Sequence, residues 1–234
     1  MNFLNKIFII ISLICFFLAK SASQNNPYVD ERALHFGFFV GLNSADFKIR
    51  TGNTTFDGVK YAVADARLKP GFSVGVIADF RLHDYWNFRI TPSLQFVERE
   101  LTYKNLSTNF FIRQNVLSVP LSLPVYLKYS SQRVGNYKPY LIGGLGAYYD
   151  LSRDQQKPIL LRPLDFYVEF GLGCDFYFSF FKLAPELKFA IGFNDMLTPL
   201  AERNSGFVSQ EDSKYSNMLN RLSSRIITLV FNFE

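Results

Sequence analysis

Cysteine, histidine and long apolar runs are all scarce in this chain, and each scarcity removes a class of function. Of 234 residues, two are cysteine and two are histidine. Cys15 falls in a leader described below, so Cys174 alone remains for the mature chain, and neither a disulfide framework nor a cysteine-rich metal site can form. His35 and His83 fall at the start of one strand and in a tight turn, with no ligand constellation around either. No metal and no cofactor are expected. The only long apolar run, "IFIIISLICFFLA" from Ile7 to Ala19, is about 13 residues, short for a spanning helix. Charge is nearly balanced, so nucleic-acid binding finds no support. The "GGLG" at Gly143 to Gly146 lacks the lysine of a phosphate-binding loop and sits inside a strand pattern.

The apolar run reads as the h-region of a signal peptide over residues 1–23. Lys6 supplies the positive n-region and "SAS" at Ser21 to Ser23 the small-residue cleavage site before Gln24. Cys15 invites a lipoprotein reading, but the run continues past it through Phe16 to Leu18. Loss of Lys6 and Lys20 with the leader lowers the formal charge from +5 to +3, 23 basic residues against 20 acidic. Residues 24–33 then form a short periplasmic segment, and residues 34–234 one domain.

What the chain has in plenty is phenylalanine, 26 residues of it, yet its mean hydropathy is only +0.05. Alternation reconciles the two. In "FYVEFGLGCDFYFSFFKLAPELKFAIGFN", Phe166 to Asn194, apolar side chains occupy every second position and charged or small ones lie between, the period of a strand with two unlike faces. Phe166, Val168, Phe170, Leu172, Cys174, Phe176 and Phe178 share one face of the first half; Asp165, Tyr167, Glu169 and Asp175 share the other. The second half repeats this, with Phe181, Leu183, Leu187, Phe189 and Ile191 against Lys182, Glu186 and Lys188. Strands of about 13 residues exceed the soluble average of about 5 to 6 and suffice to cross a bilayer at a tilt.

Eight such segments follow one another: Leu34 to Ile49, Gly71 to Leu82, Trp86 to Tyr103, Asn115 to Tyr129, Tyr137 to Leu151, the pair above, and Ser224 to Glu234. The faces of the fifth, rich in glycine, are not assignable. Short connections (His83 to Tyr85, Ser130 to Asn136, Ser179 with Phe180) alternate with long ones (Arg50 to Pro70, Lys104 to Arg113, Ser152 to Pro163, Asp195 to Leu222), as periplasmic turns and outer loops do. The fold class is therefore all-β: an eight-stranded antiparallel up-and-down transmembrane barrel of the outer membrane of a Gram-negative bacterium. The competing reading, a soluble lipocalin-like barrel, would point its apolar face inward. Pro92, Pro120, Pro124 and Pro185 are expected at bulges or strand ends.

An eight-stranded barrel is only wide enough inside for side chains. Asp79, Arg81, Arg89, Lys128, Asp165, Glu169, Asp175, Lys182, Glu186 and Lys188 are assigned to that interior, as a polar network of mixed sign that closes the lumen to diffusion. If the turn pairs Leu82 with Trp86, Asp79 comes directly across from Arg89. Tyr85, Trp86, Phe178, Phe180, Phe181 and Phe233 bunch near the short turns as a periplasmic aromatic girdle. Barrel enzymes need a base beside a nucleophile at the outer rim. Both histidines map to the opposite end, so no catalysis is expected.

Four stretches, "HFGFFVGLNSADFKI" (His35 to Ile49), "LPVYLKYSSQRVGNYKPYLIGGLGAYYDL" (Leu123 to Leu151), "VEFGLGCDFYFSFFKLAPELKFAIGFNDML" (Val168 to Leu197) and "RLSSRIITLVFNFE" (Arg221 to Glu234), lie in order over nearly all of the mature chain. Together they resemble the PorT family, outer-membrane barrels associated with type IX secretion and gliding motility in Bacteroidota. The segments Gly52 to Ala66 and Ala201 to Ser216 match less clearly. The resemblance implies an accessory, non-enzymatic role in exporting cargo with a C-terminal signal, beside other secretion-system proteins. The alternative is a general small barrel that anchors, adheres or stabilises the envelope. Expected partners are outer-membrane lipid and secretion-system proteins, with no nucleic acid and no small-molecule substrate.

Overall fold

A computed structural model describes residues 32–51, 55–56, 59–105, 111–152, 160–198 and 219–234. The expected signal peptide, residues 1–23, and most of the segment 24–33 lie outside the described residues, as does most of the loop Asp195 to Leu222. The strands are β1 (Leu34–Thr51), β2 (Thr55–Phe56), β3 (Val59–Arg81), β4 (Trp86–Ile90), β5 (Ser93–Asn105), β6 (Phe111–Ser118), β7 (Pro120–Ser130), β8 (Tyr137–Asp150), β9 (Leu164–Tyr177), β10 (Lys182–Gly192) and β11 (Leu219–Phe233).

All pairings are antiparallel, and β1 pairs on one side with β3 and on the other with β11, which closes the sheet into a barrel. Two of its eight staves are each built from two strands. One runs through β4 and β5, both paired to β3, and is interrupted at Thr91 and Pro92. The other runs through β6 and β7 and is interrupted at Val119. Asp150 spans that second break, accepting from Ser118 Oγ at 2.6 Å and Val119 N at 3.2 Å.

Alternation dictates which way each stave faces. Phe36, Phe38, Val40 and Leu42 of β1 are exposed while Phe39, Gly41 and Asn43 are buried. On β9, Phe166, Phe170 and Leu172 are exposed, whereas Asp165, Tyr167, Glu169 and Asp175 are buried. The apolar face points outward and the charged face inward, the reverse of a lipocalin. The glycine-rich β8 is also resolved: Leu141, Leu145 and Tyr149 face out, Tyr140, Ile142 and Tyr148 face in.

Strand length departs from the sequence reading. Arg50 to Pro70 and Lys104 to Arg113, expected as loops, are largely strand: β1 reaches Thr51, β3 begins at Val59, and the β3–β5 and β5–β6 ladders continue to Tyr61–Asn105 and Lys104–Phe111. Beyond the bilayer a hairpin keeps its backbone hydrogen bonds but no longer needs one oily face, so "VKYAVADARLK" carries alanines where the membrane strands carry a row of Phe, Leu and Val. The prolines divide. Pro92 lies in a strand break and Pro120 opens β7, but Pro124 and Pro185 sit inside strands. Each lacks an N–H, and each sits at a local gap in one ladder. Pro124 lies where β4 and β5 are interrupted, its carbonyl accepting from Thr91 N at 3.3 Å, and the β9–β10 pairing skips Ala184 and Pro185 without changing register.

Candidate functional site

The short turn after β3 fixes the register on which the lumen depends. Leu82 N and His83 N both donate to Trp86 O, at 2.9 and 3.0 Å. Four residues from each side of that turn, Asp79 of β3 stands opposite Arg89 of β4. Arg89 Nε donates to Asp79 Oδ2 at 2.6 Å, and Asn87 Nδ2 donates to Asp79 Oδ1 at 2.5 Å. The same guanidinium reaches Glu234 Oε1 at 2.8 Å and Glu186 Oε2 at 3.5 Å.

From Arg89 the network spreads around the inner wall. Glu234 pairs with Lys182. Glu186 accepts from Tyr140 Oη at 2.7 Å and Asn232 Nδ2 at 3.3 Å, and Lys188 Nζ lies 2.9 Å from its other oxygen, an ion pair by distance. Lys188 also donates to Tyr126 Oη at 3.4 Å, and that hydroxyl donates to Glu169 at 2.6 Å. Lys128 pairs with Asp175 at 2.8 Å and sits 3.9 Å from the centre of the Tyr140 ring. Burying so many charges is tolerable only because each finds an opposite charge or a hydrogen bond.

Glycines make room for the tyrosines threaded through this network. A Cβ at Gly173 would collide with the Tyr140 ring and one at Gly146 with Tyr167. Toward the long loops the lumen becomes more aromatic: Tyr148 stacks on Tyr167 with centroids 3.9 Å apart, and Tyr167 shares a hydrogen bond of 2.6 Å with Ser122. Arg99 lies over Phe47 at 4.7 Å and donates to Ser224 Oγ at 3.0 Å.

Of the ten residues assigned to the lumen from sequence, Asp79, Arg89, Lys128, Glu169, Asp175, Lys182, Glu186 and Lys188 meet in this network. Asp165 is buried but separate, its carboxylate accepting from Asn194 N at 3.3 Å near the long loops. Arg81, the last residue of β3, lies at the mouth, half-buried and 2.7 Å from Asp84 of the turn, and lines the same inner cavity as Lys128, Asp175 and Lys182. Glu234 and Arg99 were missed. Glu234 continues the inward phase of β11 after Val230 and Asn232, a signal that was there to use, and Arg99 falls in "VERELTY", where charges occupy both faces.

At the short-turn mouth a cavity of about 40 Å³ is lined by His35, Arg81, Asp84, Lys128, Asp175 and Lys182, among others. That holds a few waters, against about 300 to 1,000 Å³ for a small-molecule pocket. Outside this rim, Trp86 packs on Tyr129 at 4.8 Å, Phe178 on Phe181 at 5.1 Å, and Phe233 on Phe38 at 5.2 Å. Tyr85 joins them through Tyr129 at 6.4 Å, while Phe180 projects from the turn tip, 98% exposed. At the opposite limit of the apolar surface, outward charges begin at Asp46 with Arg225 and at Lys69 with Glu98. Leu34 to Ser44 between these limits spans about 25 Å after tilt, the height of an outer-membrane apolar band.

Residues 22–198 match the family model described as "Outer membrane protein beta-barrel domain". Among solved structures the chain is similar to the outer membrane protein OprG from Pseudomonas aeruginosa, with 12% identity over 85% of this chain and 92% of that one and a TM-score of 0.47. It is also similar to Neisserial surface protein A, with 12% identity over 86% and 98% and a TM-score of 0.40. No curated protein sequence matches it.

Proposed function

The chain belongs to the outer-membrane β-barrel domain family, and from that premise we propose that it is a non-enzymatic accessory component of type IX protein secretion, acting through contacts rather than transport. The observation that carries the non-transporting part is the Arg89-centred network, which fills the inner wall with paired charges and leaves no described passage wide enough for cargo. The secretion role is supported by the resemblance of the four stretches to the PorT family. A filled lumen and a lipid-facing exterior leave turns and loops for protein partners. The leader over residues 1–23 delivers the chain to the periplasm for insertion.

Deletion of the gene in its native host tests this reading. Cargo bearing the C-terminal signal should accumulate in the periplasm. Normal secretion with altered adhesion or envelope integrity would favour the general anchoring role instead. Shortening the chain between Thr198 and Leu219, with the flanking strands kept, should impair export while the barrel still inserts; unchanged export would move the interface to the turns.

A further inference from the structure

Above the apolar band the outward face changes character unevenly around the barrel. On β3 and β5 the cation Lys69 is matched by two carboxylates, lying 2.8 Å from Glu98 and 3.3 Å from Glu100. On β1 and β11 the balance is basic. Asp46 stands opposite Arg225 and Lys48 opposite Ser223, and Arg221 lies two residues further on the same outward face. Asp46 is occupied by Arg225, at 2.6 and 2.9 Å. Lys48 is exposed and makes no ion pair among the described residues. Arg221 spends Nη2 on Phe193 O at 2.6 Å, while its Nε is shut off from solvent with no partner.

These side chains border a groove of about 210 Å³ lined by Lys48, Arg221, Ser223, Ile191 and Phe193. Its floor is apolar and open, Ile191 being 43% and Phe193 53% exposed. Two unmatched cations and a hydroxyl above an oily slope complement an amphiphile with an anionic head and hydrocarbon tails. Arginine and lysine together suit a phosphate, which offers several acceptor oxygens to donors arriving from different directions. We propose that this groove binds the phosphorylated headgroup of an outer-leaflet lipid, with Lys48 Nζ and the accessible edge of the Arg221 guanidinium on the phosphate and an acyl chain along Ile191 and Phe193. Such a lipid fixes the height and rotation of the barrel at one side of its rim. The inference uses the placement of the long loops on the outer side and is independent of the secretion reading.

Full-length protein purified in mild detergent, titrated with phosphorylated and with dephosphorylated lipid A and read by native mass spectrometry, tests it. The phosphorylated form should bind at least about tenfold more tightly, and the K48Q/R221Q double variant should lose that preference. Lys69→Gln on the adjacent stave β3, where the lysine is already held by Glu98, should keep it, and inorganic phosphate at matching concentration should not displace the lipid. Equal binding of the two forms, an unchanged preference in K48Q/R221Q, displacement by inorganic phosphate, or preference for an acidic peptide would overturn the assignment. If the double variant fails to fold, Lys48→Glu alone places a charge of the wrong sign at an exposed position and must weaken binding of the phosphorylated form.

Discussion

Asp79 and Arg89 face each other across the β3–β4 ladder on the inner wall, and Arg89 Nε lies 2.6 Å from Asp79 Oδ2. Both side chains are almost wholly shielded from solvent, at 2% and 1% exposure. The two residues do not contribute symmetrically. Arg89 also serves Glu186 and Glu234, so its loss leaves Asp79 without an ion-pair partner among the described residues and weakens two carboxylates that keep Lys188 and Lys182, while loss of Asp79 leaves the guanidinium two others. Arg89→Ala should destabilise the barrel by about 3 to 5 kcal/mol, the cost of breaking a buried ion pair from one side. Asp79→Ala should cost less. The double variant should be less damaged than the sum of the two, read from urea unfolding midpoints in detergent; strict additivity would mean that the pair does not interact.

The neighbouring glycines of "GGLG" should respond oppositely to the same change. A Cβ at Gly144 would drive into the backbone carbonyl of Val125, which the ladder holds in place, whereas a Cβ at Gly143 meets nothing within 4 Å. Gly144→Ala should cost about 1 to 3 kcal/mol as overpacking, and Gly143→Ala should fall within about 0.5 kcal/mol of the parent. Thermal melts of the two refolded variants make the comparison; a larger loss for Gly143→Ala than for Gly144→Ala would mean that β8 faces the other way.

These two sites show where the sequence was readable and where it was not. Lipid imposes an apolar residue at every second position along a strand, so the faces of β9, β10 and β11 followed from periodicity, and the Asp79–Arg89 register followed from the short turn between Leu82 and Trp86. On β8 the signal failed because inward Gly144 and Gly146 are small to admit Tyr126 and Tyr167 from neighbouring staves, a reason that exists only in three dimensions. The extension of β3 to Val59 was hidden because strand hydrogen bonds outlast the membrane that writes the alternation. Arg99 was hidden by a run with charge on both faces. The lumen charges were legible by position, yet their centre on Arg89 depends on contacts across the barrel, Glu186 and Glu234 among them, that no strand pattern gives.

Cys174 offers a test of the outward face by chemistry rather than stability. It is the free cysteine of the described chain, on the same face of β9 as Phe170 and Leu172. A charged maleimide does not enter hydrocarbon, so Cys174 should stay unmodified in intact outer membranes and react after unfolding. Rapid labelling in membranes would place that face in water.

The central claim is that this barrel crosses the outer membrane and is closed inside by its own charges. Planar-bilayer recording tests it most directly, using refolded protein whose insertion is verified by a mobility difference between unheated and boiled samples. The account predicts no steady ion conductance, because the Arg89, Lys128 and Lys188 clusters occupy an eight-stranded interior that is only side-chain wide. Large, stable, voltage-independent channels from the inserted protein would contradict it.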